Sequence, residues 1–158
     1  MDLDKGFSLD AWELQKYQPN RYPFLLIDRV TEVIPGKSAK GYKNMTNNEW
    51  YMPIHFEGCP NMPGALQMEA MAQMLTVAIT SLDGMEGKAA HSYKHSATFH
   101  IPVTPGDKLE MEAKVMSFRH GLCKGNVKGY IDGELACELD TVILIPEEFN
   151  KYKPHKNK

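Results

Sequence analysis

The 158 residues suffice for one domain with a buried core, and contents of 42% hydrophobic and 24% charged residues are typical of a soluble globular protein. A formal net charge of -2 excludes a strong general attraction to nucleic acids or anionic membranes. The three cysteines, Cys59, Cys123 and Cys137, are too few and too scattered for a disulfide framework or a CxxC metal site, which favours a reducing, cytoplasmic setting.

No segment of the sequence predicts a targeting signal or a membrane span. The first residues, "MDLDKGFSLDAWELQKY", are acidic and lack the apolar run of a signal peptide. The longest apolar stretch, Met62–Leu82, contains Gln67, Glu69 and Gln73, which indicates a helix buried in protein rather than in lipid. The basic residues 150–158 are expected to form a flexible tail.

The first third of the chain predicts one helix and a β-hairpin. Ser8 is a candidate N-cap for a helix over Leu9–Tyr17. Pro23–Ile34 is rich in β-forming residues and is followed by a turn signal at Pro35–Lys37. Ser38–Thr46 is then the predicted returning strand.

A long helix is predicted after an irregular segment. Residues 47–61 have no clean periodicity and contain glycine and prolines, which predicts a loop. Pro63 suits the first turn of a helix, where a missing N–H matters least. We expect this helix to continue to Leu82, because the Asp83–Gly87 segment, "DGMEG", would end it.

The remaining sequence predicts an antiparallel meander. Its strands are His91–Val103, Lys108–Phe118, Leu122–Ile131 and Glu134–Ile145, and Asp132-Gly133 is a strong two-residue hairpin turn. The predicted architecture is α+β, with an antiparallel sheet of five to six strands wrapped around one long central helix in a single domain, residues 1–158. One helix cannot cover such a sheet on every side, which favours a two-fold dimer with the sheets joined at their edges.

The predicted central helix carries a polar stripe. Its members share one face of an otherwise apolar helix, being spaced by four, three and four residues: Glu69, Gln73, Thr76 and Thr80. One interpretation is a face in contact with solvent. The other is a narrow polar lining beside a cavity or a dimer interface, which fits the presence of a single charged residue in the stripe.

Three residues around the start of this helix could serve proton chemistry. A partly buried glutamic acid such as Glu69 can hold a proton near neutral pH and donate it as a general acid. His55, in the loop just upstream, could act as a base. The N–H of Gly64 would be among the first free donors at the helix start, and its missing side chain would let a ligand oxygen approach. These groups suit proton abstraction next to a carbonyl, with the oxyanion bound at Gly64.

Other reactive residues support fewer inferences. Cys59 lies four positions from His55, so a cysteine–histidine nucleophile is conceivable, but no third orienting group accompanies the two. His91 and His95 have the spacing of helical metal ligands, yet they lie in sequence that predicts a strand.

Four segments resemble the β-hydroxyacyl-(acyl carrier protein) dehydratases of type II fatty-acid synthesis. They are "RYPFLLIDRV", "NNEWYMPIHFEGCPNMPGALQMEAMAQM", "PVTPGDKLEMEAKV" and "YIDGELACELD", within a match that extends over roughly Arg21–Ile145. The resemblance implies a hot-dog fold, in which an antiparallel sheet wraps a long central helix and two subunits form a dimer with a continuous sheet. Family members often assemble further into hexamers, as trimers of such dimers.

The resemblance also implies roles for single residues. It makes His55 and Glu69 the catalytic pair, contributed to each site by different subunits, and Gly64 the oxyanion donor. Three other motif residues are expected to bind substrate or to orient the acid: Gly58, Pro63 and Gln73.

The implied reaction removes water from a 3-hydroxyacyl thioester in fatty-acid or related acyl-chain biosynthesis. His55 would take the proton alpha to the thioester carbonyl, Gly64 would stabilise the enolate oxygen, and Glu69 would assist departure of the 3-hydroxyl as water. The acyl chain would lie in an apolar tunnel beside the helix, carried on acyl carrier protein or coenzyme A through phosphopantetheine. No metal or other cofactor is implied, because the thioester itself acidifies the alpha carbon.

The sequence departs from the family pattern near the histidine and before the last strands. The family usually has glycine before the motif histidine and proline two positions after it, where this chain has Ile54 and Glu57. A basic run is replaced by "SATFHIPV", although Lys94, Arg119 and nearby lysines could attract an acidic carrier protein. Two alternatives to a dehydratase stay open, namely an acyl-thioester hydrolase of the same fold and a noncatalytic acyl-binding or scaffold protein.

Overall fold

The computed structural model describes residues 6–153. The helices and strands of that part of the chain are β1 (Phe7–Leu9), α1 (Leu14–Tyr17), β2 (Arg29–Ile34), β3 (Ser38–Asn44), α2 (Gly64–Thr80), β4 (His91–Phe99), β5 (Lys108–Arg119), β6 (Leu122–Ile131), β7 (Glu134–Leu144) and α3 (Pro146–Asn150). Residues 1–5 of the acidic N-terminal segment and residues 154–158 of the predicted basic tail lie outside the described residues.

The seven strands form one antiparallel sheet in the order β1-β2-β3-β5-β6-β7-β4. The β2–β3 and β6–β7 hairpins are confirmed, and Asp132 and Gly133 have φ values of 48° and 81°, as a two-residue type I′ turn requires. The sheet has one strand more than the six that the sequence predicts at most. The missing strand is β1, in which Phe7 pairs with Val33 of β2. A strand of three residues depends on this tertiary pairing rather than on a local sequence pattern.

The predicted helix over Leu9–Tyr17 is wrong in its start and its cap. Ser8 lies within β1, and the helix is the single turn α1. Asp10 begins the turn instead, because its carboxylate accepts the backbone N–H groups of Trp12 at 2.8 Å and Glu13 at 2.9 Å. Glu13 in return accepts the N–H of Asp10 at 2.9 Å. This reciprocal pairing is the capping-box arrangement with an aspartate in the capping position.

Helix α2 lies against the inner face of the sheet and is almost wholly buried. It contacts β2 to β7, and side chains such as Met71 and Leu75 have no exposed surface. Leu75 packs onto Gly125 of β6, where a Cβ atom would lie only 2.5 Å from the leucine methyl groups. A glycine at this position therefore lets the helix approach the sheet closely. None of the helices within residues 6–153 has the length and hydrophobicity that crossing a bilayer requires.

Helix α3, which the sequence did not predict, is tied to the segment that leads into β4. Lys88 contacts the carboxylates of Glu148 and Glu147, and Lys151 donates to Glu148 at 2.8 Å. Hydrogen bonds from Lys151 and Lys88 lower the pKa of Glu148, and the hydrogen bond to Glu148 raises the pKa of Lys88. The pairing anchors Lys88, directly before residues 89–92, which form one wall of the cavity described below.

We expect Glu148→Gln to lower the melting temperature at neutral pH, because Lys151 and Lys88 both lose the Glu148 carboxylate and Lys88 keeps only the more distant carboxylate of Glu147. A carboxyl whose pKa is lowered by folding stabilises the protein above the unfolded-state pKa, and this contribution is lost as the pH falls through the folded-state pKa. The difference in melting temperature between wild type and variant should therefore vanish in acid. Thermal unfolding followed by circular dichroism from neutral to strongly acidic pH measures it. A difference that stays constant over this range would contradict the assignment.

Candidate active site

Gln73 is the most completely hydrogen-bonded polar side chain of helix α2. Its Oε1 accepts the N–H of Leu26 at 2.9 Å, and its Nε2 donates to the carbonyl of Phe24 at 2.8 Å. Because a backbone N–H can only donate and a carbonyl can only accept, these two contacts fix which way the amide points. The second N–H of Nε2 then donates to Oε1 of Glu69 at 2.9 Å. Gln73 thus orients the glutamate.

Glu69 is half-buried and opens onto a cavity of about 270 Å³. Its Oε2 has no hydrogen-bond partner within residues 6–153, so one carboxyl oxygen is held by Gln73 and the other is available to a ligand. The polar residues that line the cavity beside Glu69 are Gln18, Asn20, Gln73, Thr76, His91 and Ser92. The arrangement suits a carboxyl group that exchanges a proton with a bound molecule.

The polar stripe is a lining and not a solvent-exposed face. Gln73, Thr76 and Thr80 are at most 4% exposed. The Thr76 and Thr80 hydroxyls donate to carbonyls one turn earlier in the helix, at 2.9 and 3.0 Å. The interpretation as a solvated face is therefore wrong, because these three side chains are buried and the segment before β2 covers Gln73.

His55 lies in the loop of residues 47–61 and is held at both its backbone and its ring. Its carbonyl accepts the N–H of Asn61 at 2.9 Å, and its Nδ1 is 3.2 Å from the carbonyl oxygen of Asn61. Since a carbonyl can only accept, Nδ1 carries the hydrogen in the neutral ring and Nε2 keeps a free lone pair. The Phe56 ring stacks on the imidazole at a centroid distance of 4.0 Å. This is the tautomer that a general base requires.

The loop after His55 closes through a tight turn. Phe56 and Cys59 exchange backbone hydrogen bonds at 3.1 and 2.9 Å, and Gly58 between them has φ 75°, in the left-handed region. Gly58 is exposed, and a Cβ there would meet no atom within 4 Å. It shapes the turn and does not line the Glu69 cavity. Met62 then anchors the end of the loop, where its N–H donates to Val103 at 2.8 Å.

Gly64 is the first residue of α2, directly after Pro63 in the N-cap position. Helix geometry leaves the first N–H groups without intrahelical acceptors, so the Gly64 amide is free to bind an oxygen. The ring of Phe99 covers this residue, and a Cβ at Gly64 would lie 2.9 Å from it. Any larger side chain would displace the ring. The sequence does not predict a place in the site for Phe99, because no local pattern reveals that the end of strand β4 contacts the start of helix α2.

One chain brings Glu69 and Gln73 together but does not bring His55 to them. His55 shares neither a hydrogen bond with Glu69 nor a place in the wall of its cavity. The single chain therefore presents two separate parts of the candidate site, a candidate acid half on helix α2 and a candidate base half on the loop before it.

The other reactive residues are dispersed. Cys59 is exposed, whereas burial raises the pKa of the Cys123 thiol to about 12 and of the Cys137 thiol to about 11. His95 is 2.8 Å from the Thr141 hydroxyl through Nδ1. Among residues 6–153 no cluster of three or more histidine, cysteine, aspartate or glutamate residues could hold a metal ion.

Comparisons with known proteins agree on one family. Residues 18–140 match the family model of the FabA-like domain. The chain is 43% identical over 141 residues to the 3-hydroxyacyl-(acyl-carrier-protein) dehydratase FabZ of Bacillus licheniformis, an alignment that covers 89% of this chain and 98% of that protein. It is 45% identical over 127 residues to the protein of the same name from Acetivibrio thermocellus, covering 80% and 87%.

Solved structures with low identity confirm the fold. The dehydratase heterocomplex ApeI:P from Xenorhabdus doucetiae superposes with a TM-score of 0.72 at 14% identity, over 87% of this chain and 95% of that chain. Protein PH1136 from Pyrococcus horikoshii gives 0.64 at 17% identity, over 84% and 92%. These likenesses support the hot-dog architecture and carry no information on the reaction.

Substitution of Gln73 is expected to cost much more stability than substitution of Gln67, a second buried glutamine of the same helix. Gln73→Leu removes the partners of the Leu26 N–H and the Phe24 carbonyl, and the loss at the buried Leu26 N–H alone costs about 1–3 kcal/mol. Gln67 donates only to the Met62 carbonyl, and its Oε1 has no partner among the described residues. Gln67→Leu therefore also removes an unsatisfied oxygen. Urea unfolding of both variants measures the difference, and equal losses would contradict the role assigned to Gln73.

Proposed function

This chain belongs to the FabA-like family, and on that premise we propose that it dehydrates 3-hydroxyacyl thioesters to trans-2-enoyl thioesters. The FabZ relatives are named for this reaction on acyl carrier protein. The observation that carries the proposal is the carboxyl of Glu69, fixed by Gln73 and open to a polar cavity. Loop residue His55, with a free Nε2, supplies the complementary base.

The first step is removal of the proton alpha to the thioester carbonyl. Nε2 of His55 takes this proton, and the electron pair of the C–H bond moves toward the carbonyl to form an enolate. The N–H of Gly64 donates to the developing oxyanion at the start of α2, where the helix dipole adds to the effect. The ring of Phe99 lies against Gly64 at this point.

The second step is loss of the 3-hydroxyl. The enolate collapses to form the double bond between the alpha and beta carbons while the C–O bond breaks, and Glu69 gives its proton to the departing oxygen so that water leaves. Glu69 is then a carboxylate and His55 an imidazolium. Return of the proton from His55 to Glu69 resets both groups, so the reaction consumes no external acid or base.

We propose a dimer as the active unit, because each chain presents the acid half and the base half apart. Strand β4 is an edge of the sheet, with its outer hydrogen-bonding groups unpaired within residues 6–153. Its Tyr93 and Phe99 side chains are 71% and 45% exposed. An exposed edge of nine residues can pair with the same strand of a second copy. Such pairing supports a site in which His55 of one subunit faces Glu69 of the other.

We propose acyl carrier protein as the partner, and a basic face on the outer side of the sheet supports it. Directly paired residues of neighbouring strands point to the same side. Lys94 of β4 and Lys124 of β6 lie on either side of Val142 of β7 and share its outward-facing side. Arg119 of β5 pairs with Leu122, two residues before Lys124, and therefore faces the same side. This basic face, Lys94, Arg119 and Lys124, attracts an acidic protein.

The basic face lies at the same end of the sheet as the Glu69 cavity. Ile143, the neighbour of Val142 in β7, lines that cavity from the inner side. A carrier bound at the basic face would thus hold its thioester arm close to the acid. The three free cysteines fit a reducing compartment, so we place the reaction in the cytoplasm.

We expect the purified chain to interconvert 3-hydroxybutyryl and crotonyl thioesters, followed by enoyl absorbance. His55→Ala and Glu69→Gln should each lower kcat by about 10²–10⁴-fold, because each removes one proton-transfer group. Mixing the two inactive variants under conditions that exchange subunits should restore activity to about a quarter of the sites. About half of the dimers then contain one subunit of each variant, and one of the two sites in each such dimer has both groups intact. The exposed Cys59→Ala is the control and should retain full activity.

Each contrary result identifies a different alternative. Release of free thiol without enoyl formation would identify a hydrolase. Saturable thioester binding without turnover, unchanged in Glu69→Gln, would identify a noncatalytic acyl-binding protein. Failure of the mixed variants to recover activity, with each variant dimeric, would contradict a site shared between subunits.

Charge reversal on the basic face should affect only substrates carried on protein. We expect Arg119→Glu combined with Lys124→Glu to raise KM for 3-hydroxybutyryl acyl carrier protein by at least about tenfold, because like charges then face each other. KM for the uncharged pantetheine thioester should be unchanged. Lys128→Glu is the matched control, since Lys128 lies on the same strand and face but opposite Glu112 and Glu138. An equal effect on both substrates would contradict this docking surface.

A further inference from the structure

A buried ion pair lies at the base of the loop that carries His55. The Lys43 ammonium nitrogen is 2.6 Å from Oε1 of Glu49 and 3.3 Å from Oδ2 of Asp28. It also donates to the carbonyl of Asn44 at 3.0 Å. The ammonium has three hydrogens, and each has an acceptor within the chain. The side chain of Lys43 is 8% exposed, so this charge is almost wholly removed from water.

The pair connects the sheet to the loop. Lys43 belongs to β3, Asp28 directly precedes β2, and Glu49 is the third residue of the loop. Asp28 is itself fixed to β3, because its Oδ2 accepts the N–H of Asn44 at 2.6 Å. An ion pair of this kind adds little stability over apolar side chains of the same size, but its geometry is specific. The contact therefore determines where the loop begins relative to the sheet.

Short-range contacts transmit this position to His55. The N–H of Met52 donates to the carbonyl of Glu49 at 3.1 Å, and the N–H of Ile54 donates to that of Tyr51 at 3.2 Å. Tyr51 is completely buried between these turns, and burial together with the Glu49 carboxylate raises the pKa of its phenol. Residues 49–54 thus form consecutive fixed turns that end at His55.

We propose that Lys43 and Glu49 are positioning residues that hold the imidazole of His55 in its reactive place. The proposal rests on the proposed function for the role of His55 as a base. The pair holds the loop at its start, and Asn61 holds it after the histidine, so the ring is fixed from both sides. Neither residue lines the Glu69 cavity, so neither contacts a molecule bound there, and we assign their effect on the reaction to the position of the loop.

The test uses the double variant Lys43→Met/Glu49→Leu. A single substitution would leave an unpaired buried charge and could unfold the chain, whereas the double variant replaces both by apolar side chains. The Asp28 carboxylate, whose side chain is 37% exposed, then keeps water and the N–H of Asn44 as partners. We expect kcat to fall about 10- to 100-fold with KM changed less than about twofold, because a displacement of about 1 Å in a reacting group costs that much. Hydrogen–deuterium exchange of the Ile54 and Asn61 amides should become faster at an unchanged melting temperature.

The matched control is Lys40→Met/Glu112→Leu, which removes an exposed ion pair of 3.7 Å between β3 and β5. It should change neither kcat nor amide exchange in the loop. Wild-type kcat and exchange in the Lys43→Met/Glu49→Leu variant, or an equal loss in the control, would overturn the proposal. If the wild-type chain proves to have no dehydratase activity, the proposed function fails. Amide exchange at Ile54 and Asn61 then still decides whether the pair positions the loop.

Discussion

Helix α2 is enclosed by protein, so most of its polar side-chain atoms must find hydrogen-bond partners within the chain, and this constraint shapes the site. Gln73 meets it by binding the N–H of Leu26 and the carbonyl of Phe24, two backbone groups that belong to no strand or helix. The same amide then holds Glu69. The segment before β2 therefore closes over the helix, and the side chain that binds this segment is the same one that orients the Glu69 carboxyl.

The long elements could be predicted from sequence because their patterns are local. Alternation defines β5 to β7, Asp132-Gly133 defines their last hairpin, and the apolar run after Pro63 defines α2. Strand β1 and helix α3 could not be predicted in this way. The first exists through pairing with β2, and the second is tied down by Lys88 from sixty residues earlier in the chain.

The candidate site, too, could be predicted from sequence only where its residues are close together in the chain. The spacing of Glu69 and Gln73 by one helical turn predicts that they share a face, and the structure adds that this face is buried. Periodicity shows which residues lie together but not what covers them. The partners of Gln73 and the Phe99 ring over Gly64 are distant in sequence, so only the fold reveals them.

The proposed acid, Glu69, and the proposed base, His55, are held by different physical means. Glu69 is on a helix whose own hydrogen bonds and packing define its place. His55 is on the loop between β3 and α2, which contains no helix or strand, and a loop of that length is mobile unless side chains fix it. A buried ammonium with two carboxylate partners adds little net stability, because removing the charges from water costs free energy. Its specific geometry nevertheless favours one position of the loop over others. The departures at Ile54 and Glu57 lie between the two anchors, Glu49 and Asn61, so they alter side chains on a loop whose ends are already set.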